Sequence, residues 1–389
     1  MDLPGWPHYS EEEAAAVRDV IASNKVNYWT GSIGREFERE FAVWANSQYA
    51  VALANGTLAL DLALRALDIG PGDEVIVTPR TFIASVSTVV NAGARPVFAD
   101  VNRESGNIDA VSIRAVLTSK TKAVIPVHLG GWPCEMHEIM KLARDEQLAV
   151  IEDCAQAHGA KIGDRSVGSF GNVGAWSFCQ DKIMTTGGEG GMVTTQSEEL
   201  WQRMWSFKDH GKNWEAVYER KHPPGYRFVH ESFGTNWRML EVQAAIGLIQ
   251  LKRMAVWTAR RRTIADAISA VLADYGDIIR VPAPPKGVTH AYYRLYGYVQ
   301  PENLGTGWDR DRIVAELLEA GVPVMHGTCS EVYLEKAFAG TGYAPPERLP
   351  VARELGETSI TFLTHPTLKD RHVDKIADRV RMILERVAP

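Results

Sequence analysis

The feature of this 389-residue chain that most constrains its fold is an alternation of short β-branched runs with amphipathic stretches. Helical periodicity lies near 57–68, 82–92, 110–118 and 135–147. The strand-like runs are YAVAL (49–53), EVIVT (74–78), PVFADV (96–101), KAVIPVH (122–128), LAVIED (148–153), GAWSFC (174–179) and GGMVTT (190–195). This alternation predicts βαβ units and a mainly parallel sheet covered by helices on both faces. The last runs follow each other too closely for helical crossovers, so we expect an antiparallel addition there.

A long helical pattern runs from Leu240 to about Asp274 and precedes a proline-rich break at 281–288. Its first turns are rich in apolar residues, which we attribute to a domain connection or a partner subunit. Beyond the break, YYRLYGYVQ predicts a strand, and 309–321 and 371–387 predict helices. The expected organisation is an N-terminal segment (1–23) that packs with the small domain, a large domain (24–250) and a smaller α+β C-terminal domain (251–389).

Composition narrows the function classes. The chain has 42 basic and 48 acidic residues, a formal net charge of −6, which argues against a nucleic-acid or anionic-membrane binder. It contains no apolar run of about 18 residues, and its first residues do not show the basic-then-apolar pattern of a secretory signal. Four cysteines are scattered without paired spacing: Cys134, Cys154, Cys179 and Cys329. We therefore expect a cytoplasmic protein with reduced thiols.

Two strand ends carry residues that suggest chemistry. Asp153 ends the apolar run LAVIED, and Lys182 follows GAWSFC just before the glycine cluster in TTGGEGG. Ligands bind at the carboxyl ends of strands in doubly wound sheets. Taken singly, Asp153 is also a good helix cap and Lys182 an ordinary surface lysine. An Asp and a Lys placed together are what pyridoxal phosphate requires: an amine for its aldehyde and a carboxylate for its ring nitrogen.

A phosphate site is also available in ANGTLALDLALRAL (54–67), where Asn55-Gly56-Thr57 lies between a strand and a helix. The first backbone N–H groups of a helix and its dipole favour an anion at such a position. A capped turn that opens an amphipathic helix has the same residues, so this pattern by itself leaves both interpretations open.

Five motifs, in this order, resemble one family: NGTLAL, TPRTFIAS, EDCAQAHGA, WSFCQDKIMTTGGEGG and GTNWRMLEVQAA. The chain resembles the DegT/DnrJ/EryC1/StrS sugar aminotransferases over nearly its whole length. The resemblance implies the type I fold of pyridoxal-phosphate enzymes, an α/β class in which helices flank the mainly parallel, mixed sheet of a large domain and a smaller α+β domain follows. It also implies pyridoxal 5'-phosphate as cofactor and a homodimer with shared sites.

The resemblance further implies roles for single residues. Lys182 would form the Schiff base, and Asp153 would pair with the pyridine nitrogen. Gln156 would hydrogen-bond the ring hydroxyl, and Phe82 would stack on the ring. The phosphate would be bound by Gly56, Thr57, Ser177 and, from the neighbouring subunit, Asn236.

Segments that differ from the commoner family pattern include SFCQDKIM around Lys182, VHLGGWP (127–133) and HGTCSEVYLEKAF (326–338). They lie where sugars bind in the family, and His158, Arg238 and His326 are our candidates for substrate contacts. A structural role is equally compatible with His158, and a subunit contact with Arg238. His128, Cys134 and His137 lack the spacing of a tetrahedral site, so we predict no metal.

The resulting hypothesis is a transaminase that transfers an amino group from glutamate to a nucleotide-linked keto sugar, with Lys182 as anchor and general acid/base. Three alternatives differ in chemistry. A sugar dehydratase of the same family would carry His in place of the lysine. A desulfurase or lyase would need a nucleophilic cysteine, for which Cys329 is the candidate. A non-catalytic, cofactor-bound regulator would be expected to carry a binding appendage, and none is evident.

Overall fold

The computed structural model describes residues 2–222, 224–225 and 227–387. The α-helices are α1 (Glu11–Ala22), α2 (Ile33–Trp44), α3 (Gly56–Ala66), α4 (Ala84–Asn91), α5 (Ala110–Ala115), α6 (Met136–Asp145), α7 (Glu198–Lys208), α8 (Trp214–Tyr218), α9 (Glu241–Ala273), α10 (Arg310–Glu319), α11 (Pro350–Thr358) and α12 (Asp370–Val387). Across those residues, no helix combines the length and the apolar character that crossing a membrane requires.

The strands are short. They are β1 (Tyr49–Leu53), β2 (Glu74–Val77), β3 (Arg95–Phe98), β4 (Thr121–Ile125), β5 (Ala149–Asp153), β6 (Lys161–Ile162), β7 (Arg165–Ser166), β8 (Val173–Ser177), β9 (Gly191–Thr195), β10 (Ile279–Arg280), β11 (Val288–Thr289), β12 (Arg294–Val299), β13 (Val324–Met325) and β14 (Ser359–Leu363). β4 ends at Ile125, earlier than its apolar run, because Pro126 has no N–H to donate.

A seven-stranded sheet in the order β1-β9-β8-β5-β4-β2-β3 forms the centre of the large domain. The pairs β2–β3, β2–β4, β4–β5 and β5–β8 are parallel, and β9 runs antiparallel to both of its neighbours. The predicted α/β fold and its antiparallel addition after residue 170 are therefore confirmed. The six strands other than β9 run in one direction and end at one edge, so loops from distant parts of the sequence meet there.

The C-terminal part has its own antiparallel sheet, in the order β10-β12-β14-β13, which packs with α9, α10 and α12. Its core includes Leu295, Ile313, Phe362 and Ile376, and Leu3 of the N-terminal segment packs against it. The domain limits at residues 23 and 250 stay predictions.

Helix α9 contributes to two hydrophobic cores. Ala244 and Met254 pack with Phe37 of α2, and Ile264 and Leu272 belong to the core of the C-terminal sheet. In the first turns of α9, Ala244, Ala245 and Ile246 are thus buried within the chain, whereas Val242, Leu248 and Ile249 are partly exposed.

Glu241, the first residue of α9, closes the start of another helix. Its buried carboxylate accepts hydrogen bonds from the backbone N–H groups of Ile33 (2.7 Å) and Gly34 (3.0 Å), the first residues of α2. The first N–H groups of a helix have no partner within it, and a carboxylate there also favours the helix dipole. A side chain more than 200 residues away therefore caps α2.

We expect Glu241→Ala to lower the free energy of unfolding by about 2 kcal/mol, because it leaves two buried N–H groups without an acceptor. Denaturant titration followed by circular dichroism measures this loss. Glu40→Ala, which removes an exposed carboxylate of α2, is the matched control and should change stability by less than about 0.5 kcal/mol. Equal effects of the two substitutions would contradict the capping role.

Candidate active site

The candidate site lies at the carboxyl edge of the large sheet. Asp153 is the last residue of β5 and Ser177 the last of β8, the neighbouring parallel strand. Lys182 follows in the loop that leads to β9, and α3 begins at Gly56 just after β1. The fold thus brings together residues that are far apart in sequence, as parallel strands predict.

Asp153 is a buried carboxylate whose surroundings suit a cationic partner. Ser85 Oγ donates to its Oδ2 (2.7 Å), and the backbone N–H of Ala155 donates to Oδ1 (3.1 Å). Burial raises the pKa of Asp153 above its usual range, and the hydrogen bonds and the Lys182 charge only partly offset it. A cation bound beside this carboxylate would remove that penalty.

A close approach between α3 and the end of β8 forms a cradle for an anion. Asn55 Oδ1 accepts the N–H of Leu58 (3.0 Å) and caps α3. A Cβ on Gly56 would come within 2.5 Å of the Ser177 Cβ, so only glycine allows the first turn of α3 to lie this near the serine. The N–H groups of that turn and the Ser177 hydroxyl are suitable phosphate donors.

Two further predicted residues lie around the same edge. Phe82, two residues before α4, is 67% exposed, which is unusual for an aromatic side chain and leaves one face of its ring free to stack. Gln156 follows β5, and its Oε1 accepts the N–H of Gly130 (2.8 Å), which leaves the Gln156 amide as a donor.

The Lys182 amine lies against an acidic and an aromatic side chain. Its Nζ is 3.5 Å from Asp181 Oδ1 and 5.2 Å from the centre of the Tyr293 ring. The Tyr293 hydroxyl donates to the other oxygen of Asp181. Burial disfavours the ammonium form, but Tyr293 and Asp181 outweigh it and raise the pKa of Lys182. Trp6 Nε1 donates to the Lys182 carbonyl (2.8 Å) and fixes its backbone.

A buried hydrogen-bonded network next to Asp153 contains three side chains of the types that bind metal ions. Nitrogen, oxygen and sulphur atoms of His128, Glu152 and Cys154 lie within 4.8 Å of one another. Glu152 accepts backbone hydrogen bonds from Gly168, Phe170 and Gly171 at 2.7–2.8 Å and contacts His128 Nε2 at 3.1 Å. The N–H of Cys134 donates to His128 Nδ1, so the ring proton lies on Nε2. These atoms already have partners, and the network fixes the loops around β5.

The candidate substrate residues occupy three different environments. His158 is fully buried against the rings of Trp176 and Phe178, which favours a packing role. Arg238 Nη1 makes a 2.7 Å ion pair with the buried Asp209. His326 is exposed on the loop after β13, and its Nε2 is 3.1 Å from Asp311 Oδ1. Asn236, predicted to serve a neighbouring subunit, is exposed.

Sequence reasoning did not identify Ser85, Asp181 or Tyr293 as site residues. Asp181 is adjacent to the lysine and carried a signal in the unusual SFCQDKIM pattern. Tyr293 lies 112 positions from its hydrogen-bond partner, and only the fold reveals the pair.

Pyridoxal phosphate fits these residues. The cradle at Gly56 and Ser177 has donors for a phosphate, and Phe82 offers a ring face. Burial raises the pKa of Asp153, and a cationic ring nitrogen bound beside it would stabilise its charged form. The fold is that of the pyridoxal-phosphate-dependent aminotransferases. The chain belongs to the DegT/DnrJ/EryC1/StrS aminotransferase family, whose model matches residues 7–381.

Known proteins similar to this chain include a sugar synthase and several aminotransferases. It is 35% identical to GDP-perosamine synthase of Caulobacter vibrioides over 94% of this chain and 95% of that protein. An aminotransferase structure from Psychrobacter cryohalolentis matches with 58% identity and a TM-score of 0.98, covering 99% of this chain and 100% of that one. DesV of S. venezuelae, solved with a ketimine intermediate, matches with 32% identity and a TM-score of 0.87, covering 97% and 95%.

The burial of His158 has a measurable consequence for stability. Burial first, and then the charges of Lys182 and Arg261, lower its pKa from 6.5 to about 3. The unfolded chain therefore binds a proton between pH 6.5 and 3 that the folded chain does not, so stability falls as pH falls through this window. The slope from one such group is about 1.4 kcal/mol per pH unit.

We expect His158→Leu to reduce the pH dependence of the unfolding free energy between pH 6 and about 4 by that amount. Urea titrations at several pH values measure it, and His8→Leu, at an exposed position, is the control. An unchanged slope in the His158 variant would show that this ring titrates normally in the folded protein.

Proposed function

We propose that this protein transfers an amino group from glutamate to a nucleotide-linked keto sugar. The observation that carries the proposal is that Lys182 and the buried Asp153 lie at the same edge of the large sheet, where burial raises the pKa of the Asp153 carboxyl and the lysine charge only partly offsets the rise. The similarity to GDP-perosamine synthase supports a nucleotide-linked sugar as the acceptor.

When bound, pyridoxal phosphate supplies an aldehyde for the amine and a ring that accepts electrons. Lys182 Nζ would hold the aldehyde carbon, Asp153 the ring nitrogen and Gln156 the ring hydroxyl. Phe82 would cover one face, and Gly56, Thr57 and Ser177 would bind the phosphate. Each assignment uses a side chain or N–H group at the sheet edge described above.

The chain's own contribution to chemistry is proton transfer and charge placement. Lys182 Nζ would be the base that takes the proton from the donor Cα and, as an ammonium, the acid that delivers it to the carbon of the cofactor's aldehyde group. Asp181 lies 3.5 Å from this nitrogen and stabilises its ammonium form. Asp153 stabilises a positive charge on the ring nitrogen.

Borohydride reduction followed by peptide mapping tests the anchor. We expect the pyridoxyl group on Lys182, because this residue lies in the loop after β8, at the carboxyl edge of the sheet where β5 ends at Asp153. Lys252, an exposed lysine of α9, provides the internal comparison. Modification of another lysine instead would remove Lys182 from this role.

Asp153→Asn should keep the fold but slow transamination by about 100-fold or more, because a neutral amide does not stabilise positive charge on the ring nitrogen. Stopped-flow absorbance of the cofactor on mixing with glutamate measures the rate. The control is Asp100→Asn, a carboxylate that accepts backbone hydrogen bonds at the start of α11. Near-normal rates in Asp153→Asn would leave the residue a structural role only.

A dimer with shared sites is also proposed. Phe233 is fully exposed and Leu240 is 53% exposed, on the segment that carries Asn236. Exposed apolar side chains on one segment favour burial of that segment against another protein surface, here a second subunit.

Mixing Lys182→Ala with Asn236→Arg tests this arrangement. After dissociation and reassembly, half of the dimers would be mixed, each with one complete site, so activity should reach about a quarter of wild type per subunit. Fluorescent labels verify subunit exchange. No recovery in exchanged dimers would assign both residues to the same chain's site.

Formation of 2-oxoglutarate from glutamate with a panel of GDP-, UDP- and dTDP-linked 3-keto and 4-keto sugars tests the function itself. The expected product is an amino sugar formed in equal amount to 2-oxoglutarate. Amination of none of these sugars, by protein that carries the cofactor and reacts with glutamate, would refute the acceptor class.

A further inference from the structure

A cavity of about 230 Å³ lies beside the Lys182 loop, between the N-terminal segment and the C-terminal sheet. Trp6, Asp181, Arg261 and Tyr293 form part of its wall. Two of these residues also contact the catalytic amine: Asp181 Oδ1 is 3.5 Å from Lys182 Nζ, and the Tyr293 ring centre is 5.2 Å from it. The cavity and the amine are thus separated by one layer of side chains.

Arg261 is a buried cation with unused donors in this wall. It is 2% exposed, and its Nε and Nη2 have no hydrogen-bond partner among the residues that the structure describes. Its Nη1 makes a long contact of 3.4 Å with the Tyr292 carbonyl, and the guanidinium lies 5.3 Å from the centre of the Trp6 ring. A buried guanidinium with free N–H groups is unfavourable unless a ligand accepts from them.

A second arginine lines the same cavity. Arg294 lies over the Tyr293 ring at 4.7 Å, and its charge is close enough to oppose that of Arg261. Burial first, and then this repulsion, lower the pKa of Arg261 to about 9. His365 is also in the wall, and burial first, and then the charges of Arg261, Arg294 and His372, lower its pKa to about 4.

Asp181, an acidic residue of this wall, does not cancel the charge of the two arginines. Asp181 shares its carboxylate between the Lys182 ammonium and the Tyr293 hydroxyl. Burial raises its pKa, but Lys182, Tyr293 and Arg294 together lower it, so the group is charged and already partnered. The two arginines therefore leave a net positive cavity.

The size of the cavity and the chemistry of its wall limit the kinds of ligand that it can bind. Pockets for drug-sized ligands measure about 300–1,000 Å³, so this cavity is too small for a nucleotide sugar. Leu3, Pro323, Met325 and Leu363 make the rest of its wall largely apolar, which suits a short hydrocarbon chain. Arginine binds carboxylates through paired N–H groups.

We propose that this cavity binds the carboxylate of a small aliphatic acid through Arg261 and Arg294. Given the proposed function, the natural source is the amino donor or the 2-oxo acid formed from it, because the cavity wall touches the Lys182 amine. An unreactive organic acid has the same binding chemistry, and the experiment separates the two sources.

Calorimetric titration of the cofactor-loaded protein with glutarate, which has no amino group to react, tests the site. We expect one glutarate per chain and binding at least about tenfold weaker in Arg294→Gln, since a charge-assisted hydrogen bond is lost. Arg312→Gln removes the same charge from a guanidinium stacked on Trp308, outside the cavity, and should bind glutarate like wild type. Glutaramide, the neutral diamide, should bind at least about tenfold more weakly than glutarate.

Met325→Trp gives an independent check, because it fills the cavity from its apolar wall without changing charge. It should also weaken glutarate binding. Equal glutarate affinity in wild type, Arg294→Gln and Met325→Trp would overturn the proposal, as would equal losses in Arg294→Gln and Arg312→Gln.

The cofactor absorbance change with glutamate identifies the source. If the carboxylate belongs to the donor, glutarate competes with glutamate, and Arg294→Gln raises the half-saturating glutamate concentration by the same factor as the glutarate dissociation constant. If glutarate binds as expected but leaves glutamate saturation unchanged, the site holds a separate acid. Glutarate binding without any glutamate reaction in wild type would refute the proposed function and leave the carboxylate site standing.

Discussion

The buried carboxylate of Glu152 is the interaction on which the catalytic edge of the sheet depends. It accepts three backbone N–H groups from the turn before β8 and contacts His128 after β4, so it ties both neighbours of β5 to that strand. Because side chains alternate along a strand, Glu152 and Asp153 point to opposite faces. One carboxylate is thus used to hold the loops, and the next one is free for the site.

Three charged groups near the site are incompletely compensated. Among the residues that the structure describes, Asp153 is hydrogen-bonded by neutral donors, Lys182 shares Asp181 with a tyrosine, and Arg261 has two N–H-bearing nitrogens without an acceptor. In a low-dielectric interior such groups raise the free energy of the empty protein, and ligands of opposite charge lower it again. Part of the binding energy for cofactor and substrate therefore originates in groups that folding left incompletely compensated.

The central fold could be predicted from the sequence because its parallel strands are continuous apolar runs, as in LAVIED, separated by helical periods. Helices α2, α7, α8 and α11 were not predicted. α2 starts without a local side-chain cap, since Glu241 supplies its acceptors from a distant position. Tertiary caps of this kind leave no signal in a local window.

The sequence predicted Asp153 at a strand end, where the structure has it, because the strand LAVIED could be recognised; Lys182 was also predicted at a strand end, but it lies in the loop that begins after Ser177. The contact between Asp181 and Tyr293, and the cavity shared by Arg261 and Arg294, depend on how α9 and β12 pack against the Lys182 loop. Long-range packing of this kind is not encoded in residue spacing, so the substrate side of the site could not be predicted as well as the cofactor side.

Helix α9 joins the two hydrophobic cores without a break over 33 residues, about 50 Å of helix that contains no proline. A helix of this kind bends sharply only where a proline, a local bulge or an inserted side chain interrupts its hydrogen bonds. The segment that connects the two cores is therefore a rigid helix, and it offers a protease no extended linker to cleave. Unfolding of either core would remove packing from α9 and expose apolar residues of the other core, so we expect the two cores to unfold together.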